Sequence, residues 1–151
     1  MKRKSFAFTV NSLEKADQII FYSKFYNVAP ILHFKYYILK GFGSEFIISF
    51  RDLLIAKYDN LSFNFYVDCG SDRGLALNMI QNNIEYIKLR GSSIILKKIN
   101  IITNKNKVLL NPSFNIVDCR KIKKINLKIK KIYAKGIKWK LMAIKLKLEI
   151  F

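Results

Sequence analysis

The chain repeats one pattern: a short apolar run, a turn rich in glycine or serine, and a segment with apolar residues at helical spacing. The clearest example is "FNFYVDCGSDRGLALNMIQNNIEYIKLRGSS", residues 63–93. It reads as a strand, a turn at 70–74, a short helix and a second strand. Strands and helices that alternate with short links are typical of parallel sheets with right-handed crossovers. The pattern therefore predicts an α/β fold.

The same alternation extends from residue 5 to residue 110. Predicted strands lie at 5–10, within 29–39, and at 62–69, 85–90 and 107–110, and predicted helices lie at 11–27, 45–58, 75–83 and 94–106. Asn11 with Glu14 three residues later fits a helix N-terminus. We expect about five parallel strands alternating with helices, as an open sheet or a half-barrel arc. Periodicity alone does not separate these two arrangements.

The C-terminal segment differs in composition, with eleven lysines between residues 121 and 151 against one acid, Glu149. Asp118 is predicted to cap a helix that Gly136 ends. The alternation beyond Gly136 indicates a strand, a hairpin or a basic tail. We therefore expect a single α/β domain at 1–133 and a basic C-terminal appendage at 134–151.

The net charge of +18 has two readings. Strong positive charge is typical of nucleic-acid-binding proteins. However, Lys (23), Ile (23) and Asn (13), which all have A/T-rich codons, make up 59 of the 151 residues. Arg, the favoured residue for forked phosphate contacts, occurs five times. We attribute most of the charge to the mutational bias of an AT-rich genome.

Parallel strands bring the turns that follow them to one edge of the sheet, where ligands bind in such folds. Glycine lets backbone N–H groups approach an anion, and Lys or Arg supplies charge. The sequence therefore predicts a site for a small anionic, phosphate-bearing ligand. The candidate ligand-binding residues are Lys40, Gly41, Gly43, Asp68, Gly70, Arg73, Arg90 and Gly91. The alternative is that these residues only connect strands to helices.

Asp68 is the one candidate for a catalytic residue. It ends an apolar strand, where a carboxylate is costly to bury without a partner. It is either a salt-bridged or capping acid or a general acid–base. His33, the one histidine, lies within a predicted strand, where a packed or surface role is more typical than catalysis. The chain carries no Ser/His/Asp set or paired carboxylates, so whether it is an enzyme stays open.

The cysteines and the lysine-rich segment bear on cofactors, partners and location. Cys69 and Cys119 lie outside any CxxC or His/Cys cluster, so no metal or cofactor is expected, and two thiols fit a reducing, cytoplasmic compartment. The lysines of the C-terminal segment would contact RNA, the ribosome or an anionic membrane surface, or would only be solvated. The lysines concerned are Lys121, Lys123, Lys124, Lys128, Lys130 and Lys131. Exposed edge strands of an incomplete arc would favour a homodimer.

The segment "DCGSDRGLALNMIQNNIEYIKLRG", together with "NSLEKA" and "VDCRK", resembles an uncharacterised family of small α/β proteins from alphaproteobacteria. The strand-Asp-x-Gly-helix step also resembles part of a class II aldolase-type barrel. This resemblance implies a half-barrel-like arc with Asp68 near its ligand edge. Because no metal-binding histidine stands beside Asp68 and the chain is too short for eight βα units, the resemblance does not carry aldolase chemistry.

Overall fold

A computed structural model describes residues 5–149, apart from the side chains of 135–143 and 149. The strands are β1 (Phe6–Thr9), β2 (Ile31–Phe34), β3 (Asn64–Asp68), β4 (Tyr86–Lys88), β5 (Leu109–Leu110) and β6 (Asn115–Asp118). The helices are α1 (Leu13–Lys24), α2 (Tyr36–Phe42), α3 (Ser44–Lys57), α4 (Arg73–Gln81), α5 (Ser93–Lys105) and α6 (Ile125–Glu149).

The strands form one parallel sheet in the order β5-β4-β3-β2-β1-β6. The predicted parallel α/β fold is confirmed, with six strands rather than about five. The additional strand is β6, and it contains Asp118, so the prediction that Asp118 caps a helix is wrong. The segment 115–118 is extended because it pairs along the free edge of β1.

The helices and the sheet share one core, on one face of the sheet. Side chains alternate along a strand, and one set from each of β1–β4 packs with helical residues. From the strands this core takes Phe8, Leu32, Phe34, Phe65, Val67 and Ile87, and from the helices Ile19, Ile20, Ile47, Phe50, Met79, Ile80, Ile99 and Ile129. Consecutive right-handed crossovers place successive helices on the same side, so the other face carries no helix of the described residues.

The sheet is open but strongly curved, and the short link between its two edge strands requires the curvature. Six strands laid flat would separate β5 from β6 by about 24 Å. The link from Leu110 to Asn115 reaches at most about 18 Å, and it must also return to the opposite end of the sheet. It therefore crosses the helix-free face. There the ring of Phe114 packs on Tyr66 and Tyr86, with centroids 5.3 and 4.9 Å apart.

Two further predictions are wrong at the level of secondary structure. Lys40 and Gly41 lie inside α2 rather than in a turn, because β2 ends at Phe34 and the next residues form a helix that buries Ile38 and Leu39. Gly136 does not end α6, and no strand or hairpin follows it within the described residues. One glycine costs a helix only about 1 kcal/mol, which the surrounding lysines and leucines, good helix formers, offset. The domain boundary at 133 stays a prediction.

Candidate ligand site at the carboxyl edge of the sheet

The helix-free face, which we call the inner face, changes from apolar to charged along the strand direction. Its lower level contains Ala7 and Ile31, which are buried against Tyr66. By strand register, the next level runs across the sheet through Asp118, Thr9, His33, Tyr66 and Tyr86. Polar residues thus collect where the strands end.

One residue pair further along, Asp68 of β3 lies beside Lys88 of β4 on the same face. Lys35 follows His33 by two residues in extended backbone, so it extends the inner face of β2 at this level. We call Lys35, Asp68 and Lys88, with His33 beneath them, the strand-end site. Its members come from three neighbouring strands, and Lys35 and Lys88 form no ion pair with any residue whose side chain is described.

His33 is held in one orientation by its two neighbours. Its Nδ1 lies 2.7 Å from the hydroxyl oxygen of Thr9, and its ring packs against the ring of Tyr66 with centroids 4.9 Å apart. Thr9 is fully buried and His33 is 7% exposed. Burial lowers the pKa of His33 from the ordinary 6.5 to about 4. The imidazole is therefore neutral at physiological pH.

The charges of four residues lie close enough to His33 to act on its ring. The carboxylates of Asp68 and Asp118 raise its pKa, and the ammonium groups of Lys88 and Lys35 lower it. These opposing effects are smaller than the effect of burial. The site is thus a mixed-charge cluster around a neutral, nearly enclosed imidazole.

Asp118 is already paired within its own turn. Arg120 donates to it from Nε at 2.9 Å and from a terminal nitrogen at 2.6 Å, and these hydrogen bonds lower the pKa of Asp118 to about 2. The guanidinium also lies 5.9 Å from the ring centre of Tyr37 in α2. Because Arg120 pairs with Asp118, this nearby carboxylate adds little negative charge to the strand-end site, which has two lysines and one carboxylate, Asp68.

Asp68 organises the turn after β3. One of its carboxylate oxygens accepts a hydrogen bond from the Gly70 N–H at 2.9 Å, and Arg90 N–H donates to the Gly70 carbonyl at 2.7 Å. Gly70 has φ +58, and a Cβ there would lie 3.0 Å from the ring of Tyr36. Gly70 is therefore needed for backbone shape and for close packing, which the sequence did not distinguish from ligand binding.

The predicted ligand residues are distributed over several elements. Asp68 lies on the inner face, whereas Arg73 starts α4 and Arg90 and Gly91 are exposed in the loop before α5. Lys40 and Gly43 lie together. They line a cleft of about 490 Å³ between the α2–α3 junction and the start of α4, with Tyr36, Leu39, Ser44, Asp72, Gly74, Leu75 and Asn78. We call it the edge cleft.

Several of the polar turn residues do cap helices. Ser12, Asp72 and Ser92 are the N-caps of α1, α4 and α5, and each accepts a hydrogen bond from the backbone N–H three residues later. Ser12 takes the place predicted for Asn11. These three residues thus connect strands to helices, while α3 begins after Gly43 without a side-chain cap.

Sequence reasoning missed Lys35, Lys88 and Arg120. The alternation along each strand did contain a signal for them. The patterns "IxHxK", "NxYxD", "YxK" and "IxDxR" each end on a charged residue, two positions after a residue of the inner face. Reading it required the register between strands, because only the register shows that these faces coincide.

The lysines of the alternative nucleic-acid surface lie in the β6–α6 link and in α6. Lys121, Lys123, Lys124, Lys130 and Lys131 are exposed, and Lys128 is partly buried. Within the described residues, no group of three His, Cys, Asp or Glu side chains is placed to hold a metal ion. No described helix is long and apolar enough to cross a membrane.

The fold and the position of this site define a parallel α/β protein with a curved, helix-backed sheet and a polar carboxyl edge. No family model matches the chain, and no curated protein matches it. Among solved structures it is similar to a proposed fructose-1,6-biphosphate aldolase from Coccidioides immitis, at 11% identity and a TM-score of 0.54. The match covers 71% of this chain and 44% of that protein, so the chain spans less than half of its length. The expected resemblance to an aldolase-type barrel is confirmed at the level of the fold.

Proposed function

We propose that this protein binds a small anionic, phosphate-bearing ligand at the strand-end site. The observation that carries the proposal is the strand register, which places Asp68 beside Lys88, and Lys35 two residues beyond His33, on one face at the carboxyl ends of parallel strands. Parallel α/β folds bind ligands at the carboxyl edge of the sheet, where strands end in loops and polar groups are not used in pairing between strands.

The balance of charge favours an anion. Arg120 engages Asp118 through two of its nitrogens, so that carboxylate adds little repulsion. Two lysines then face one carboxylate, and one oxygen of Asp68 is occupied by the Gly70 N–H. Lysine ammonium groups donate strong, charge-assisted hydrogen bonds to phosphate oxygens.

The residues of the edge cleft provide a second position on the same edge and a matched control. Lys40 lines this cleft, and the first N–H groups of α3 lie beside Gly43 without a side-chain cap. The sequence-based prediction included both Lys40 and Asp68, whereas the inner-face geometry favours a site at Asp68 and Lys88. Both lysines are exposed, so a neutral substitution at either position leaves the core intact.

The test is a thermal-shift and calorimetry screen of the whole chain against inorganic phosphate, phosphoserine and AMP. A ligand that binds only the folded state raises the unfolding midpoint. We expect Lys88→Gln to weaken binding about tenfold and Lys40→Gln to leave it unchanged. Loss with Lys40→Gln alone would move the site to the edge cleft. The absence of binding at millimolar concentrations of all three compounds would refute the proposal.

A second candidate function rests on the exposed lysines of the β6–α6 link and α6. Lys121, Lys123, Lys124, Lys130 and Lys131 all extend into solvent, as contacts to a nucleic-acid backbone require. Changing these five to Gln should abolish salt-dependent RNA binding. Unaltered RNA affinity in that variant, or no RNA binding by the unmodified chain at low salt, would exclude this function.

A further inference from the structure

The hydrogen bond between Thr9 and His33 fixes more than the position of the ring. Thr9 Oγ1 and His33 Nδ1 lie 2.7 Å apart on adjacent strands, at paired positions of the register. Thr9 is fully buried and His33 is more than nine-tenths buried. Water therefore does not supply an alternative partner for the hydroxyl group.

The direction of this hydrogen bond follows from counting donors and acceptors. The Thr9 hydroxyl proton needs an acceptor, and among the described residues the acceptor within reach is His33 Nδ1. If Nδ1 were protonated instead, the hydroxyl proton would be left unpaired in the protein interior, which is unfavourable. A neutral imidazole carries one proton, so that proton is on Nε2.

The Nε2–H group has no hydrogen-bond partner among the described residues and is not fully buried. The hydrogen bonds of the described residues include none to Nε2, and the buried polar side-chain atom left without a partner is Ser23 Oγ rather than Nε2. Nε2 is thus not sealed in the core. Tyr66 packs on the ring and holds its plane, so this N–H has a fixed direction.

We infer that Thr9 holds His33 in its Nε2–H tautomer and that this neutral N–H donates a hydrogen bond to an oxygen of the bound anion. The inference rests on the proposed function for its ligand, but its tautomer part is independent of any ligand. It makes His33 a specificity-determining residue. The ligand atom next to it must accept a hydrogen bond, as an oxyanion does and as an ammonium group, which only donates, does not.

The neighbouring charges are compatible with a neutral ring. Asp68 and Asp118 face it with negative charge and Lys35 and Lys88 with positive charge, so the two signs oppose each other. Burial then dominates and keeps the pKa of His33 near 4. The donor therefore persists across the physiological pH range.

The chain has one histidine, so long-range nitrogen–proton NMR of the uniformly labelled full-length protein reports on His33 alone. We expect the pattern of a neutral, Nε2-protonated ring at neutral pH. Thr9→Val keeps the shape of the side chain and removes the donor, so it should give a mixture of tautomers. Thr9→Ser should restore the pattern. A ring that is charged, or protonated on Nδ1, would overturn the inference.

Titration with inorganic phosphate tests the role of His33 in recognition. The Nε2–H resonance should shift on binding, and Thr9→Val should weaken phosphate binding about fivefold. If phosphate binds but leaves this resonance unmoved, the inference fails and the proposed function stands. If the tautomer is as stated but no phosphate binds, the proposed function fails, and the recognition role of His33 fails with it.

Discussion

Lowering the pH from about 7.5 to about 4.5 should destabilise the folded protein through His33. Burial lowers the pKa of His33 from 6.5 to about 4. Between these two pH values His33 is protonated in the unfolded chain but neutral in the folded chain. The free energy of unfolding is therefore highest above about pH 6.5, and it falls as the pH drops toward 4. At about pH 4.5 the loss is about 2.5 kcal/mol.

The size of this loss makes it measurable. A domain of this length is stable by about 5–15 kcal/mol, so the loss is a large fraction of the total. The window also isolates His33, because unfolded carboxyl groups remain mostly ionised above about pH 4.5. Asp118, with its pKa lowered to about 2 by hydrogen bonds from Arg120, contributes its own pH dependence only below this window.

The assay is urea unfolding followed by circular dichroism at about pH 7.5, 6.5, 5.5 and 4.5, for the native chain and for His33→Asn. The variant loses packing at every pH, so its absolute stability is not the test. The difference between the two proteins should shrink by about 2.5 kcal/mol as the pH falls through the window. Equal pH dependence in both proteins would refute the assignment of a buried, neutral His33.

Three substitutions, the third with an exposed control, probe other parts of the structure by urea unfolding. Gly70→Ala should destabilise by about 1–3 kcal/mol, because φ is +58 and an aromatic ring lies 3.0 Å from the added Cβ; a neutral result would contradict the packing described. Glu85→Ala should cost about 2–3 kcal/mol, because it removes the acceptor for Arg51 and for a β3 backbone N–H; retained stability would show the ion pair to be incidental. Ile129→Ala should cost about 2–4 kcal/mol while Leu146→Ala, an exposed control, costs less than about 0.5; equal effects would contradict the docking of α6.

The fold class could be predicted because it depends on information local to each segment. Apolar runs such as "FYVDC" and the polar turns that follow them indicate where a strand stops and a helix begins, and alternation of the two implies parallel pairing. The boundaries failed where two local signals competed. After Phe34 an apolar run continues, and either a longer strand or a short helix such as α2 would bury it.

The candidate site could be predicted only in part, because it depends on register. The sequence identified Asp68 as a candidate because it is an acid at the end of an apolar strand. Its neighbours on the inner face come from other strands. Lys88 lies beside it because Tyr66 pairs with Tyr86, and a shift of one residue would turn Lys88 toward the helices. Register is a property of the assembled sheet, so a single strand sequence does not contain it.

The segments "FNFYVDC" (63–69) and "FNIVDC" (114–119) are similar in sequence and have the same local structure. Each forms a strand from Asn to Asp, at β3 and β6, and each is followed by a buried cysteine. Asp68 and Asp118 each accept a hydrogen bond from the backbone N–H two residues later. At both strand ends, the aspartate accepts the backbone hydrogen bond that closes the turn, and the small cysteine side chain fits into the core. Because β3 and β6 lie on opposite sides of β1 and β2, the repeated motif places one carboxylate on each side of His33.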